Sequence, residues 1–152
     1  MKFRFEETIH SHNIYTARLG TKAARMTKAD IGKAVKLIGD SQYDLCEAGD
    51  AIQAFVTSVE VDQGPMDGYH IGGTCSVGLK NATVVGAALA VDDYVTAAAQ
   101  PAKGTKLAAP MPVTLAVDQA AAKAAPFRAR VVSLGDVGTG AAGTTVVLML
   151  SA

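Results

Sequence analysis

Residues 51–79 read AIQAFVTSVEVDQGPMDGYHIGGTCSVGL, and their pattern decides the fold class. In the second half Tyr69, Ile71, Cys75, Val77 and Leu79 fall on one face, while His70, Thr74 and Ser76 fall on the other. A period of two marks a half-buried strand. The first half is apolar on both faces over 52–56. From Phe55 it becomes one-sided, with Thr57, Val59 and Val61 opposed to Ser58, Glu60 and Asp62. Between the halves stand Gly64-Pro65 and Asp67-Gly68, pairs that favour reversals because Gly tolerates positive φ and Asp bonds its own backbone. The stretch is therefore expected to form a long two-stranded antiparallel ribbon. Phe55, Val59, Tyr69, Ile71, Cys75 and Val77 are its expected core-facing set.

Outward from the ribbon, short strand patterns alternate with turns. KAVKLI (33–38) and YDLC (43–46) precede it, separated by Gly39-Asp40 and followed by Gly49-Asp50. After it, TVVGAALAV (83–91) is apolar on both faces and reads as a central strand. FRARVVSL (127–134) alternates, with Phe127, Ala129 and Val131 inward and Arg128 and Arg130 outward. TTVVLML (144–150) closes the chain as a two-sided apolar strand. DDYVTAAA (92–99) fits either a capped helical turn or a strand. AVDQAAAKAAP (116–126) reads as one or two turns of helix, capped by Asp118 and stopped before Pro126. Many short strands with Gly- and Pro-rich turns and at most one or two short helices indicate an all-β protein. The expected form is a small β-barrel or sandwich of short antiparallel strands.

The first 30 residues read as an extended N-terminal arm, leaving 31–152 as a single barrel or sandwich domain. Phe3 and Phe5 alternate with Lys2, Arg4 and Glu6, but no period is sustained beyond them. Such a segment gains most by adding to a sheet edge or lying on a partner. Charge supports the division. Residues 1–36 carry eight basic and three acidic groups, a net +5, whereas 37–93 carry one basic and nine acidic, a net −8. The arm has no block of consecutive basic residues, which argues against nucleic acid. No apolar run of membrane-spanning length and no signal-peptide core appear, so synthesis in the cytoplasm is expected.

Chemistry-bearing patterns are absent. His10 and His12 lack a third ligand at zinc spacing, and His70 falls on the polar face of its strand. The glycines of GDVGTGAAG (135–143) precede a strand, the wrong context for phosphate. Asp92 and Asp93 are adjacent, so in a strand they face opposite ways and in a turn they act as caps. Cys46 and Cys75 form no CxxC and read as two buried small hydrophobes. Arg128 and Arg130 could form a docking pair for an acidic partner or a solvated face. No catalytic, cofactor or metal site is expected, and the chain is not expected to be an enzyme.

The run KADIGKAVKLIGDSQYDLCEAGDAIQAFVTSVEVDQGPMDGYHIGG (28–73) resembles the capsid decoration, or cement, proteins of tailed bacteriophages. Their shared phrase is of the type IGxxVKL, GD, YxLCxxGDxIxxFVTSVE and DGYxxG. It is carried here by Ile31, Gly32, Val35, Lys36, Leu37, Gly39, Asp40, Tyr43, Leu45, Cys46, Gly49, Asp50, Ile52, the run FVTSVE (55–60), Asp67, Gly68, Tyr69 and Gly72. The ending RARVVSLGDVGTGAAGTTVVLMLSA (128–152) is similar to that family's closing strands. The first 26 residues and the Pro-rich middle are unmatched. The resemblance implies a structural virion protein on the outer surface of an icosahedral head, fastening neighbouring major capsid protein subunits. It also implies self-association, as a homotrimer or, alternatively, a dimer, with no nucleic acid or membrane partner. Phe3, Arg4, Phe5, His10, Tyr15, Arg18, Arg25, Arg128 and Arg130 are the expected interface residues. The competing expectation is a β-barrel module that binds a glycan or other surface ligand as part of a phage head or tail fibre.

Overall fold

In the computed structural model, which describes residues 14–68, 70–135 and 138–151, the 51–79 stretch does form an antiparallel ribbon. Strand β4 (Ala54–Val59) pairs with β5 (Gly73–Ser76), Phe55 opposite Ser76 and Val59 opposite Gly73. The register slips between Val56 and Ser58, a bulge that sharpens the local twist. Gly73 belongs there because a Cβ would overlap the Ser58 carbonyl oxygen. The Thr74 hydroxyl lies 2.7 Å from that of Thr57 and 2.6 Å from that of Ser58, which ties the slipped pair together.

The ribbon is shorter than its pattern, for a topological reason. The chain leaves the first sheet at Val77, and β6 (Gly78–Val84) belongs to a second one. The first sheet is a closed barrel in the order β1-β3-β2-β4-β5, where β1 is Ile14–Leu19, β2 Ala34–Gly39 and β3 Gln42–Leu45. The second runs β7-β8-β6-β10-β9, with β7 Val95–Ala97, β8 Met111–Leu115, β9 Arg128–Ser133 and β10 Thr145–Ser151. It curls until its edges meet. Asp92 N donates to Val131 O and Val131 N to Asp93 O, each at 2.9 Å. The mostly-β expectation holds, with one short helix, α1 (Gln119–Ala124), whose N-terminus the Asp118 carboxylate caps at Ala121 N, 3.0 Å away. Not every pairing is antiparallel: β1 with β3 and β6 with β8 run parallel.

β4 explains why two sheets can share one chain. Phe55 packs with Ile52, Ala82, Leu148 and other residues of the second sheet's core, while Ala54, Val56 and Val59 pack with Cys75 inside the barrel. Burial on both faces is what the two-sided run at 52–56 predicts. Of the expected inward set, Phe55, Val59 and Cys75 are buried, and the half-buried Val77 touches both cores. Ile71 is instead 48% exposed, because β5 begins only at Gly73. Tyr69 lies outside the described residues.

The second half of the expected arm is barrel. β1 pairs with β5 from Ile14 opposite Ser76 to Ala17 opposite Gly73, and with β3 at Arg18 opposite Gln42. Ala17, Leu19 and Met26 are buried in the barrel core. Only the strand's alternate residues are buried, and the small Ala17 with an outward Ile14 hides that alternation from a sequence reading. The barrel thus includes Ile14–Leu19 and does not start at 31; Phe3, Arg4, Phe5, His10 and His12 fall outside the described residues.

A polar strap fastens the barrel to the second sheet. Thr27 caps a 3-10 turn (Lys28–Asp30), and Asp30 Oδ2 accepts from Thr27 N at 2.8 Å. Asp30 and Lys33 are both fully buried and pair at 2.6 Å. Lys33 Nζ also donates to the carbonyls of Pro101 (3.1 Å) and Ala102 (3.0 Å), and Gly104 N donates to the Asp30 carboxylate at 3.1 Å. Gln100 bonds both backbone groups of Ala34 and the Cys46 carbonyl. The connection between β7 and β8 is therefore anchored on the barrel at several polar points.

Candidate functional site at the barrel end

A hollow of about 480 Å³ lies where three segments meet at one end of the barrel. β1 contributes Thr16, Ala17 and Arg18, the β2–β3 turn Asp40 and Ser41, and the β4–β5 connection Asp67, Gly68, His70 and Ile71. Arg18 holds the walls in place. Its Nη1 donates to Met66 O at 3.0 Å and its Nη2 to Asp40 O, so one guanidinium ties the turn to the connection. Arg18 N also donates to Ser41 O at 2.8 Å.

The turn signals in the sequence acquire a local reason. The His70 ring lies against Gly64 and Gly68: a Cβ at Gly64 would stand 3.0 Å from Nδ1, and one at Gly68 3.4 Å from Cδ2. Gly64 also has φ of 64°, a left-handed conformation that side chains resist. Lys22 pairs with Asp67 at 2.7 Å on the exposed rim. Such a surface pair contributes little to stability.

The other expected interface residues that are described, Tyr15, Arg25, Arg128 and Arg130, are scattered. Tyr15 is the second residue of β1 and is 41% exposed. Burial raises the neighbouring Tyr43 hydroxyl above its ordinary pKa, and Cys75 and Tyr15 add to the effect. Arg25 is half-buried and bridges Gly20, beside a separate cleft that Gln63 also lines. Arg128 and Arg130 sit on β9 of the second sheet, and both are engaged. Arg128 Nη1 donates to Lys123 O at the end of α1, 3.2 Å away, and Arg130 pairs with Asp92 at 3.3 Å. Of the five expected interface residues that are described, Arg18 alone lines the barrel-end groove.

Sequence reasoning did not find this groove as a site. Its walls come from positions near 17, 40 and 68, and no local pattern announces that they converge. Asp40, Asp67 and Gly68 read as turn residues, Ile71 as core-facing, His70 as the polar face of a strand and Arg18 as part of the expected interface. Among the described residues no group of three or more His, Cys, Asp or Glu could hold a metal ion. Burial pushes the Cys46 and Cys75 thiols up to about 12, leaving them protonated and poor nucleophiles at neutral pH. Lys36 and Asp50 form a further rigid pair at 2.6 Å, and Asp50 also accepts from Glu47 N at 2.7 Å. Comparison with protein-family models, with curated proteins and with solved structures finds no match for this chain.

Proposed function

We propose that the chain is a structural decoration protein, bound to the outside of an icosahedral bacteriophage head, where it fastens adjacent major capsid protein subunits. The observation that carries this reading is how the fold uses the phrase shared with decoration proteins. Gly49 turns with φ of 92°, and Asp50 closes that turn on Glu47 and Lys36. Ile52, Phe55, Val56 and Val59 are at most 6% exposed and build both cores. These shared positions build a turn and both cores, so at them the resemblance is one of scaffold.

The surface suits a role in adhesion. Ile14 and Tyr15 open β1 directly after residues 1–13, and Leu37 and Ile38 stand near the end of β2; all four are between 37% and 46% exposed. Covering apolar area on a partner gains about 25 cal/mol per Å². Symmetry then repeats that gain at every copy on a shell. Residues 1–13, with Phe3, Phe5, Lys2 and Arg4, extend the same contact, and a homotrimer is the proposed assembly.

A deletion tests the arm, and it must stop at residue 13, because removing more takes away β1. A variant lacking residues 2–13 should bind undecorated heads more weakly than the full chain, and wild-type occupancy would remove the arm from the account. Salt separates its two components. Weaker binding at higher ionic strength points to the basic groups, while salt-insensitive binding points to the aromatics.

A further inference from the structure

We infer that the barrel-end groove is a saccharide-binding site, taking a neutral mono- or disaccharide; this goes beyond the capsid role and does not depend on it. The inference starts from which groups remain available. Among the described residues Arg18 is the only arginine or lysine lining the groove. Both of its terminal nitrogens already donate to main-chain carbonyls, of Met66 and Asp40. Two of its five N–H donors thus hold the walls and fix the guanidinium in place.

What remains is rich in acceptors. The groove is lined by the Asp40 and Asp67 carboxylates, the Thr16 and Ser41 hydroxyls and the His70 imidazole. Lys22 occupies one oxygen of Asp67, and the Asp40 carboxylate has no ion-pair partner among the described residues. Carboxylates accept from O–H groups and repel anions. A ligand with many hydroxyl donors and no negative charge therefore fits this set. Ala17 and the exposed Ile71 supply an apolar surface for the C–H face of a sugar ring.

Size and rigidity agree. A volume of about 480 Å³ falls within the range of small-molecule sites. The walls are held in advance, by Arg18 across the two loops and by His70 against Gly64 and Gly68. Little ordering is then required when a ligand enters.

The test is saturation-transfer NMR on the full chain with a panel of neutral mono- and disaccharides in millimolar excess. Free arginine serves as a cationic control. Transfer to the ring protons of at least one sugar is expected, with binding roughly five- to tenfold weaker in Asp40→Ala and in His70→Ala. Both side chains are exposed, and circular dichroism confirms that each variant is folded. No transfer to any sugar, undiminished binding in both variants, or binding of arginine alone would overturn the assignment. The same variants should decorate heads at wild-type occupancy, so loss of sugar binding and loss of the capsid role are read separately.

Discussion

Replacing Lys33 by Met should destabilise the protein more than any surface change. In the native chain Lys33 Nζ has three acceptors, Asp30 Oδ1 at 2.6 Å and the Pro101 and Ala102 carbonyls at 3.1 and 3.0 Å. Methionine keeps most of the volume but removes every donor. Asp30, which is fully buried, would lose its cationic partner and be left with the Thr27 and Gly104 amides. Breaking one side of a buried pair costs about 3–5 kcal/mol, a large part of a total stability of about 5–15 kcal/mol. At about 2–4 °C per kcal/mol for a chain of this size, Tm should fall by roughly 6–20 °C. Calorimetry or thermal circular dichroism at pH 7 measures it. The double variant Asp30→Asn with Lys33→Met should lose less than the two single losses added, because no unpaired charge stays behind. A loss below about 1 kcal/mol for Lys33→Met would refute the reasoning, since that is the size of an exposed pair.

Further outcomes follow from the same geometry. With both thiols raised to about 12 by burial, the native protein should not react with a thiol reagent at pH 8 until denaturant is added; two equivalents labelled within minutes would contradict the burial of Cys46 and Cys75. Burial acts to raise the Asp50 carboxyl, but the hydrogen bonds from Lys36 and Glu47 and the Lys36 charge outweigh it and hold the carboxyl below its ordinary value. Its contribution is therefore present above the unfolded carboxylate pKa, about 3.9, and lost as pH falls through the lower folded value. Asp50→Asn should flatten the acid limb of a stability profile, and an unchanged limb would show that the pair carries no such linkage. Gly73→Ala should destabilise markedly, because its Cβ meets the Ser58 carbonyl oxygen, whereas Gly104→Ala, with nothing within 4 Å and only its φ of 86° against it, should cost about 1 kcal/mol. Equal melting temperatures for these two variants would contradict the close approach of β4 and β5.

How much could be read in advance depended on whether each signal was local. The alternation of Cys75 and Val77, the two-sided run through Phe55, and the Asp118 cap with Pro126 behind α1 are local and were legible. β1 was not, since Ala17 is too small to stand out and Ile14 is apolar on the outer face. The parallel contacts of β1 with β3 and of β6 with β8 leave no mark in sequence, because no short turn joins the partners. Lys33 counted as one more basic residue of the N-terminal region. It is buried because Asp30 lies one 3-10 turn earlier and two carbonyls arrive from a loop 68 and 69 residues away. The groove was hidden for the same reason, its walls being joined by Arg18 across 22 and 48 residues.

The central claim is tested most directly by adding the full chain to purified undecorated phage heads and imaging the particles by cryo-electron microscopy as the ratio rises. The account predicts saturable binding on the outer surface, with density at symmetry-equivalent positions and a fixed ratio to the major capsid protein. Heads that remain bare at a large molar excess of folded protein would contradict it.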